Sequence, residues 1–231
     1  MPIHRINFSA ALFVALISLA CGPTKSTPRT DSSTPAASET PAAPDPSVAA
    51  ADRGRVDGDS SAKTWVIIAS DFQCPYCRQW HAETYNAFID QYVRSGKVKV
   101  AFINFPLGQH QNAVPTALAA MCASAQGKFW QYHDELFRSQ DQWAKMSEPR
   151  PLLDSIAKTV GVDMVEWGKC VDSRRMLPMV MADRDRAEAA GVQSTPSFLI
   201  GDRTLQGAMP LDSMRSALDA AIAKSGSAPS R

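Results

Sequence analysis

The stretch DFQCPYC at residues 71–77 decides the fold, because it joins a predicted strand to a predicted helix. Before it, the continuous apolar run WVIIA at residues 65–69 is typical of a buried strand. After it, aromatic and apolar side chains recur every three or four positions over residues 80–92, which predicts a helix with one apolar face. Gly96 is expected to end this helix. Cys74 is therefore expected on the first turn of a helix.

This position of Cys74 favours a reactive thiolate. Unpaired N–H groups at the first turn of a helix stabilise negative charge, so a cysteine there ionises below its free pKa of about 8.5. Cys77 lies one helical turn later, near enough to close a disulfide back onto Cys74. Pro75 has no N–H group, a loss that an early helical position tolerates. The spacing therefore predicts one attacking and one resolving sulfur.

Two other interpretations of the Cys74–Cys77 pair are a structural disulfide and half of a zinc site. A four-thiolate zinc site needs a second close cysteine pair, whereas Cys122 and Cys170 are far apart in the sequence. Redox chemistry is the interpretation that we favour. We expect no cofactor and no metal ion.

Residues 1–20 are predicted to be a signal peptide. Arg5 precedes an apolar run over residues 8–20, which is shorter than the stretch of about 20 apolar residues that spans a bilayer. Cys21 follows small residues and resembles the lipidated cysteine of a bacterial lipobox, although Ser18 stands where a lipobox usually carries leucine. We expect a lipidated Cys21. The alternative is ordinary signal-peptidase cleavage, which leaves this thiol free.

Residues 21–60 are predicted to be a disordered linker rich in Pro, Ser, Thr and Ala. Six of the sixteen prolines lie there and no apolar periodicity occurs, so the segment offers nothing to bury in a core. The remaining part, residues 61–225, is about 165 residues long and forms one domain of ordinary size. A net charge of +1 argues against nucleic acid as a partner. Five cysteines in an exported chain indicate an oxidising compartment.

Within this domain the pattern changes from strands to helices and back to strands. Residues 98–105 predict a second strand, and the order strand–helix–strand indicates a parallel crossover with Cys74 at the carboxyl end of the first strand. From about residue 108 to residue 191 only helical patterns and turns occur. A hairpin at residues 196–206 and a closing helix at residues 211–223 follow. The fold class is therefore α/β, with a helical block inserted between strands.

Three stretches of the chain resemble the thioredoxin superfamily, specifically its DsbA-type branch. They are SDFQCPYC at 70–77, QGKFWQYHD at 126–134 and GVQSTPSF at 191–198. The resemblance spans residues 63 to about 223. It implies a thioredoxin-like fold with an inserted α-helical subdomain.

The resemblance also implies which residues contact a substrate. We expect a cis peptide bond between Thr195 and Pro196 that faces the cysteine pair. The Thr195 backbone would then be aimed at an extended substrate chain, which can pair with it as an added strand. Pro75 and Tyr76 complete the expected substrate-binding set.

One departure from the family concerns a buried acidic residue that many relatives carry six positions before the first cysteine. Ile68 stands there in this chain, so a proton relay from that position is not carried over. Asp71, three residues before Cys74, is expected to fix the turn. His81, one turn after Cys77, is interpreted as a packing residue rather than as a group that biases the thiolates.

Some relatives have a second disulfide in the helical block. Cys122 and Cys170 are therefore candidates for a structural disulfide, which would stabilise the fold by about 2–4 kcal/mol. A redox relay that accepts electrons from the first pair and two buried free thiols are the alternatives.

The expected function is that of an exported thiol–disulfide oxidoreductase that oxidises substrate thiols through Cys74, Cys77 and a mixed disulfide. Cysteine-containing exported proteins are the expected substrates, and a membrane redox partner resets the pair. We expect the protein in the periplasm or cell envelope, tethered through Cys21. Alternatives of the same fold are a disulfide or sulfenic-acid reductase and an isomerase. A copper-handling protein is a further alternative, because the thioethers of Met176, Met179 and Met181 suit Cu(I).

Overall fold

A computed structural model describes residues 45–226, so the predicted signal peptide and Cys21 lie outside the described residues. The strands are β1 (Val56–Asp57), β2 (Thr64–Ser70), β3 (Val98–Asn104), β4 (Ser197–Ile200) and β5 (Arg203–Gln206). The helices are α1 (Pro46–Gly54), α2 (Pro75–Trp80), α3 (Asn86–Phe88), α4 (Ala113–Ser124), α5 (Phe129–Arg138), α6 (Gln140–Trp143), α7 (Arg150–Thr159), α8 (Met164–Asp172), α9 (Leu177–Ala189) and α10 (Leu211–Gly226). Among residues 45–226, none of the helices combines the length and the apolar character that crossing a bilayer requires.

The strands form one sheet in the order β1-β3-β2-β4-β5. β2 and β3 are parallel, as predicted from the strand–helix–strand order, and the other neighbours are antiparallel. Ser70 at the end of β2 pairs with Asn104 of β3, and Ala69 pairs with Ser197 at the start of β4. The carboxyl end of β2 therefore meets the segment that enters β4.

Helices α4 to α9 lie between β3 and β4 and form the predicted helical insertion. Their apolar side chains build one buried cluster, the insertion core, which also contains Phe72, Cys74 and Cys77. A second buried cluster packs α10 and the helix after the cysteine pair against the sheet. The predicted α/β thioredoxin-like fold with an inserted helical subdomain is confirmed.

The helix that follows the cysteine pair changes its geometry along its length. After α2 it passes through a π-helical segment at His81–Tyr85, then α3, then a second π-helical segment at Ile89–Val93. Such π-helical turns are rare and often occur at functional sites. Gly96 follows the end of the helix with a φ of +73°, a backbone conformation that favours glycine, so its predicted role is confirmed.

Residues 45–60 are ordered in α1 and β1, so the prediction of a disordered linker is wrong for this part of the chain. The Asp45 carboxylate caps α1 by accepting a hydrogen bond of 2.8 Å from the Ser47 backbone N–H. The Ser124 hydroxyl of α4 donates to the Ala51 carbonyl at 2.6 Å and so holds α1 against the insertion. The folded domain therefore includes residues 45–60. Its Pro- and Ala-rich composition concealed a capped helix.

A buried ionic cluster ties this N-terminal part to the insertion. Arg55 is 6% exposed and forms an ion pair with Asp183 of α9, which is fully buried. Arg55 also donates to the Phe102 carbonyl at 3.2 Å, and the Asn104 side chain donates to Asp183 at 2.8 Å. Because breaking a buried ion pair on one side costs about 3–5 kcal/mol, this cluster fixes the N-terminal part in place.

Candidate functional site

The predicted active-site residues converge at the carboxyl end of β2. Cys74 is the N-cap of α2, with φ −69° and ψ 124°, so its sulfur lies beside the free N–H groups of the first turn. The pairing of Ala69 with Ser197 brings the residues before β4 to the same edge. There the Thr195–Pro196 peptide bond is cis, and the Cys74 thiol donates to the Thr195 carbonyl oxygen at a distance of 3.5 Å.

The four residues predicted to contact substrate fall into an exposed and a buried pair. Tyr76 is 62% exposed, and Pro75 beside it is also exposed. Thr195 is 5% exposed and Pro196 is buried. Tyr76 and Pro75 therefore form an accessible apolar surface at the edge of the site, the rim, whereas the buried Thr195 backbone lies directly beside the Cys74 sulfur and forms one wall of the site.

The two thiols of the site differ in acidity. The pKa of Cys74 is lowered from 9.0 to about 6, and the largest cause is the hydrogen bond from the Cys77 thiol. Burial raises this pKa. The Thr195 side chain and the N–H groups of Cys77 and Tyr76 lower it further. Burial raises the pKa of Cys77 well above its ordinary value, and the adjacent Cys74 adds to this shift. Both cysteines are free thiols. Near pH 7 the pair therefore carries its negative charge on Cys74 and its proton on Cys77.

Asp71 fixes the turn before the cysteines, as predicted. Its buried carboxylate accepts hydrogen bonds from the backbone N–H groups of Gln73 at 2.7 Å and Leu107 at 2.9 Å. The same carboxylate lies 2.7 Å from His110 Nδ1. Burial raises the pKa of Asp71, and the three hydrogen-bonding partners oppose this shift. Ile68, which stands six positions before Cys74, is apolar and buried.

Amide side chains link the insertion to the backbone around Cys74, and sequence reasoning missed them. Gln140 of α6 is 4% exposed and donates to the carbonyl oxygens of Phe72 at 2.6 Å and of Cys74 at 3.0 Å. Gln73 in turn donates to the Ala144 carbonyl at 2.6 Å. The partners lie 66 to 71 residues apart, so no local pattern could reveal them. The insertion therefore sets the conformation of the cysteine loop directly.

The structure joins Cys122 of α4 to Cys170 of α8 by a disulfide. The two Cα atoms are 5.8 Å apart, and the residues are separated by 48 positions in the chain. Both cysteines are buried in the insertion core. This pairing contradicts the alternative of two free thiols.

Comparisons with known proteins agree with this architecture. The family model described as Thioredoxin matches residues 50–220. The probable disulfide bond formation protein D of Bacillus anthracis is 30% identical over 170 residues, which cover 72% of this chain and 77% of that protein. The protein of the same name in Bacillus cereus is 31% identical over 170 residues, with 72% and 78% covered.

Solved structures show the same fold at lower sequence identity. Oxidised BdbD from Bacillus subtilis superposes with a TM-score of 0.67 at 20% identity and covers 74% of this chain and 94% of its own. The α-DsbA1 protein of Wolbachia pipientis superposes with a TM-score of 0.66, also at 20% identity, with 74% and 92% covered. By the match to the family and by these relatives, the chain belongs to the thioredoxin superfamily, in which it is a DsbA-type thiol–disulfide oxidoreductase.

Proposed function

We propose that this chain is an exported oxidant of protein thiols, which passes the disulfide of Cys74 and Cys77 to cysteine-containing exported proteins. The observation that carries the proposal is the difference in acidity between the two thiols, with a pKa of about 6 at Cys74 and a strongly raised pKa at Cys77. A stabilised Cys74 thiolate stabilises the reduced pair. The oxidised pair is then a strong electron acceptor.

The proposed reaction starts from the oxidised pair. A substrate thiolate attacks the Cys74 sulfur, the Cys74–Cys77 bond breaks, and the Cys77 sulfur leaves and takes up a proton because its pKa is high. A second substrate thiolate then attacks the substrate sulfur of the mixed disulfide. This step releases the Cys74 thiolate and leaves a disulfide in the substrate. Two electrons pass from the substrate to the pair, and a membrane redox partner takes them up again.

The surroundings of Cys74 assign roles to its neighbours in this scheme. The low pKa of Cys74 makes it a good leaving group in the second step. The Thr195 backbone, beside the sulfur, pairs with an extended substrate chain, and Pro196 shapes this wall. Pro75 and Tyr76 contact the substrate at the rim.

The reduction potential of the Cys74–Cys77 pair tests the direction of the reaction. Equilibration with glutathione buffers, read by alkylation of the free thiols, should give a potential well above the value of about −270 mV for thioredoxin and toward about −120 mV. A potential at or below that of thioredoxin would favour the reductase alternative. In the copper-handling alternative Met176 is not an accessible ligand, because it is fully buried in the insertion core, whereas Met179 and Met181 are half-buried.

Export and a lipid tether at Cys21 are part of the proposal. The apolar N-terminal run and the following cysteine support them. The Cys122–Cys170 disulfide fits an oxidising compartment. Mass spectrometry of the N-terminal peptide of the mature protein should find a lipid on Cys21, and Cys21→Ser should release the protein from membranes. An unmodified Cys21 in the mature protein would remove the tether from the proposal.

A further inference from the structure

Two histidines and a carboxylate meet beside the cysteine helix in an arrangement that the redox reaction does not use. His81 Nε2 lies 3.0 Å from Asp134 Oδ1, and His133 Nδ1 lies 2.8 Å from the same oxygen. One ligand atom of each side chain lies within 4.8 Å of the other two. His81 stands one turn after Cys77, whereas His133 and Asp134 belong to α5 of the insertion, so the cluster joins the two parts of the fold.

Aromatic packing holds both imidazole rings in place. The His81 ring stacks on Tyr85 with centroids 5.0 Å apart. The His133 ring meets Trp130 edge-on at 5.2 Å and Phe102 edge-on at 5.5 Å. Such rings keep their orientation without the carboxylate. A ligand that binds between them therefore meets donors that are already positioned.

We propose that His81, His133 and Asp134 form a binding site for a divalent transition-metal ion such as Zn²⁺. Two imidazole nitrogens and one carboxylate oxygen are a ligand set that suits Zn²⁺, which accepts three protein ligands and one water. Zn–N and Zn–O bonds of about 2.0–2.2 Å in a tetrahedron separate the ligand atoms by about 3.3 Å. The two N–O distances of 3.0 and 2.8 Å need to widen by a few tenths of an ångström, and the two imidazole nitrogens, which lie within 4.8 Å of each other, need to approach to the same separation.

The protonation and exposure of the cluster also fit an ion. His81 Nε2 and His133 Nδ1 both face Asp134 Oδ1, and each of them offers a lone pair for an ion when the ring proton lies on the other nitrogen. The side chain of His133 is 3% exposed and that of His81 is 14% exposed, whereas that of Asp134 is 37% exposed. Solvent therefore reaches the carboxylate side, where the fourth ligand is a water. A π-helical segment begins at His81, and such segments often coincide with functional sites.

A bound ion would tie the π-helical segment that follows α2 to α5, next to the cysteine pair. Binding to the folded chain stabilises that state by mass action, so the melting temperature should rise with the Zn²⁺ concentration. This consequence does not depend on the proposed redox direction. Its failure would leave the proposed function intact.

Equilibrium dialysis of the full chain against Zn²⁺ tests the site. The sample has both cysteine pairs, Cys74–Cys77 and Cys122–Cys170, in the disulfide form and carries Cys21→Ser, so that no thiol is left to compete for the ion. We expect one Zn²⁺ per chain with micromolar affinity and a melting temperature that falls back when a chelator is added. In His81→Gln and in Asp134→Asn, the affinity should fall at least tenfold. The matched control His110→Gln removes a histidine outside the cluster and should bind as the parent does.

If a variant does not fold, Co²⁺ binding to the parent chain gives a second readout of the site. Co²⁺ in the parent chain should give the visible absorption of a tetrahedral site with nitrogen and oxygen ligands. Absence of stoichiometric Zn²⁺ binding in the parent chain would show a hydrogen-bonded cluster only and would overturn the proposal. Unchanged affinity in folded His81→Gln or Asp134→Asn would overturn it as well.

Discussion

The two cysteine pairs of this protein border the same insertion core, yet they are in different chemical states. Cys74 and Cys77 are free thiols, whereas Cys122 and Cys170 form a disulfide. All four side chains are at most 4% exposed, so burial does not distinguish them.

The backbone position of each sulfur makes the difference. Cys74 caps α2, where the Cys77 thiol one turn later is the largest cause that lowers its pKa, and the backbone N–H groups of the first turn add to this shift. Cys122 lies inside α4, where the backbone N–H groups are bonded within the helix. A reactive pair and a structural pair can thus share one apolar core. Of the four cysteines, Cys74 alone caps a helix, whereas Cys77, Cys122 and Cys170 lie inside their helices.

Replacing Cys74 should give the largest difference between the reactive pair and the structural pair. Cys74→Ser should abolish the oxidation of a dithiol peptide, because an oxygen cannot form the mixed disulfide. The measurement is the rate of peptide disulfide formation with glutathione disulfide as the terminal oxidant. The double variant Cys122→Ala/Cys170→Ala is the control and should keep this activity wherever it remains folded.

Removing the second pair should act on stability instead. A disulfide that closes a loop of 48 residues stabilises a fold by about 4 kcal/mol through chain entropy. Urea unfolding of Cys122→Ala/Cys170→Ala should show a loss of this size, with the potential of the first pair unchanged. A folded double variant with a shifted potential or lost turnover would instead point to a redox relay.

Gln140 tests whether the insertion holds the reactive pair. Gln140→Leu leaves the Phe72 carbonyl without its side-chain donor, whereas the Cys74 carbonyl keeps the Arg78 backbone N–H at 3.2 Å; one unsatisfied buried group costs about 1–3 kcal/mol. Urea unfolding should show this loss. Gln142 is an exposed neighbour in the same helix, so Gln142→Leu should have little effect. Equal effects of the two substitutions would contradict the assigned contact.

Thr195→Val should have the smallest effect. After the Cys77 hydrogen bond, the Thr195 side chain also lowers the pKa of Cys74, so its replacement by an apolar side chain of the same shape should raise that pKa by only part of the shift from 9.0 to about 6. The ultraviolet absorbance of the thiolate, followed against pH, measures the change. Thr204→Val on β5 is an exposed control. An unchanged Cys74 pKa in Thr195→Val would show that the Thr195 side chain does not lower this pKa.

Local signals in the sequence were sufficient for most of the fold. The apolar run of β2, the periodicity after Cys77 and the glycine at residue 96 predicted the strand, the helix and its end. The N-terminal helix α1 was missed although Asp45 and the following proline form a helix-start signal, because the surrounding composition resembled a linker. β1 has two residues and depends on its pairing with β3, so no local pattern could predict it.

The contacts that surround the site could not be predicted from the sequence, for a physical reason. The hydrogen bonds of Gln140 and the ion pair of Arg55 with Asp183 join residues that lie far apart in the chain. His81 and Asp134 are separated by 53 positions, so the cluster that they form depends on how α5 packs against the π-helical segment after α2. Spacing within a motif predicts local geometry, whereas these contacts arise only from tertiary packing.

The rate of alkylation of Cys74 against pH tests the central claim most directly. The experiment uses reduced Cys74–Cys77 with the Cys122–Cys170 disulfide intact, and iodoacetamide as the reagent. Only the thiolate reacts, and Cys77 stays protonated, so the rate should rise with pH and reach half its maximum near pH 6. A half-maximal rate near pH 8.5, as for a thiol in an unfolded peptide, would contradict the account.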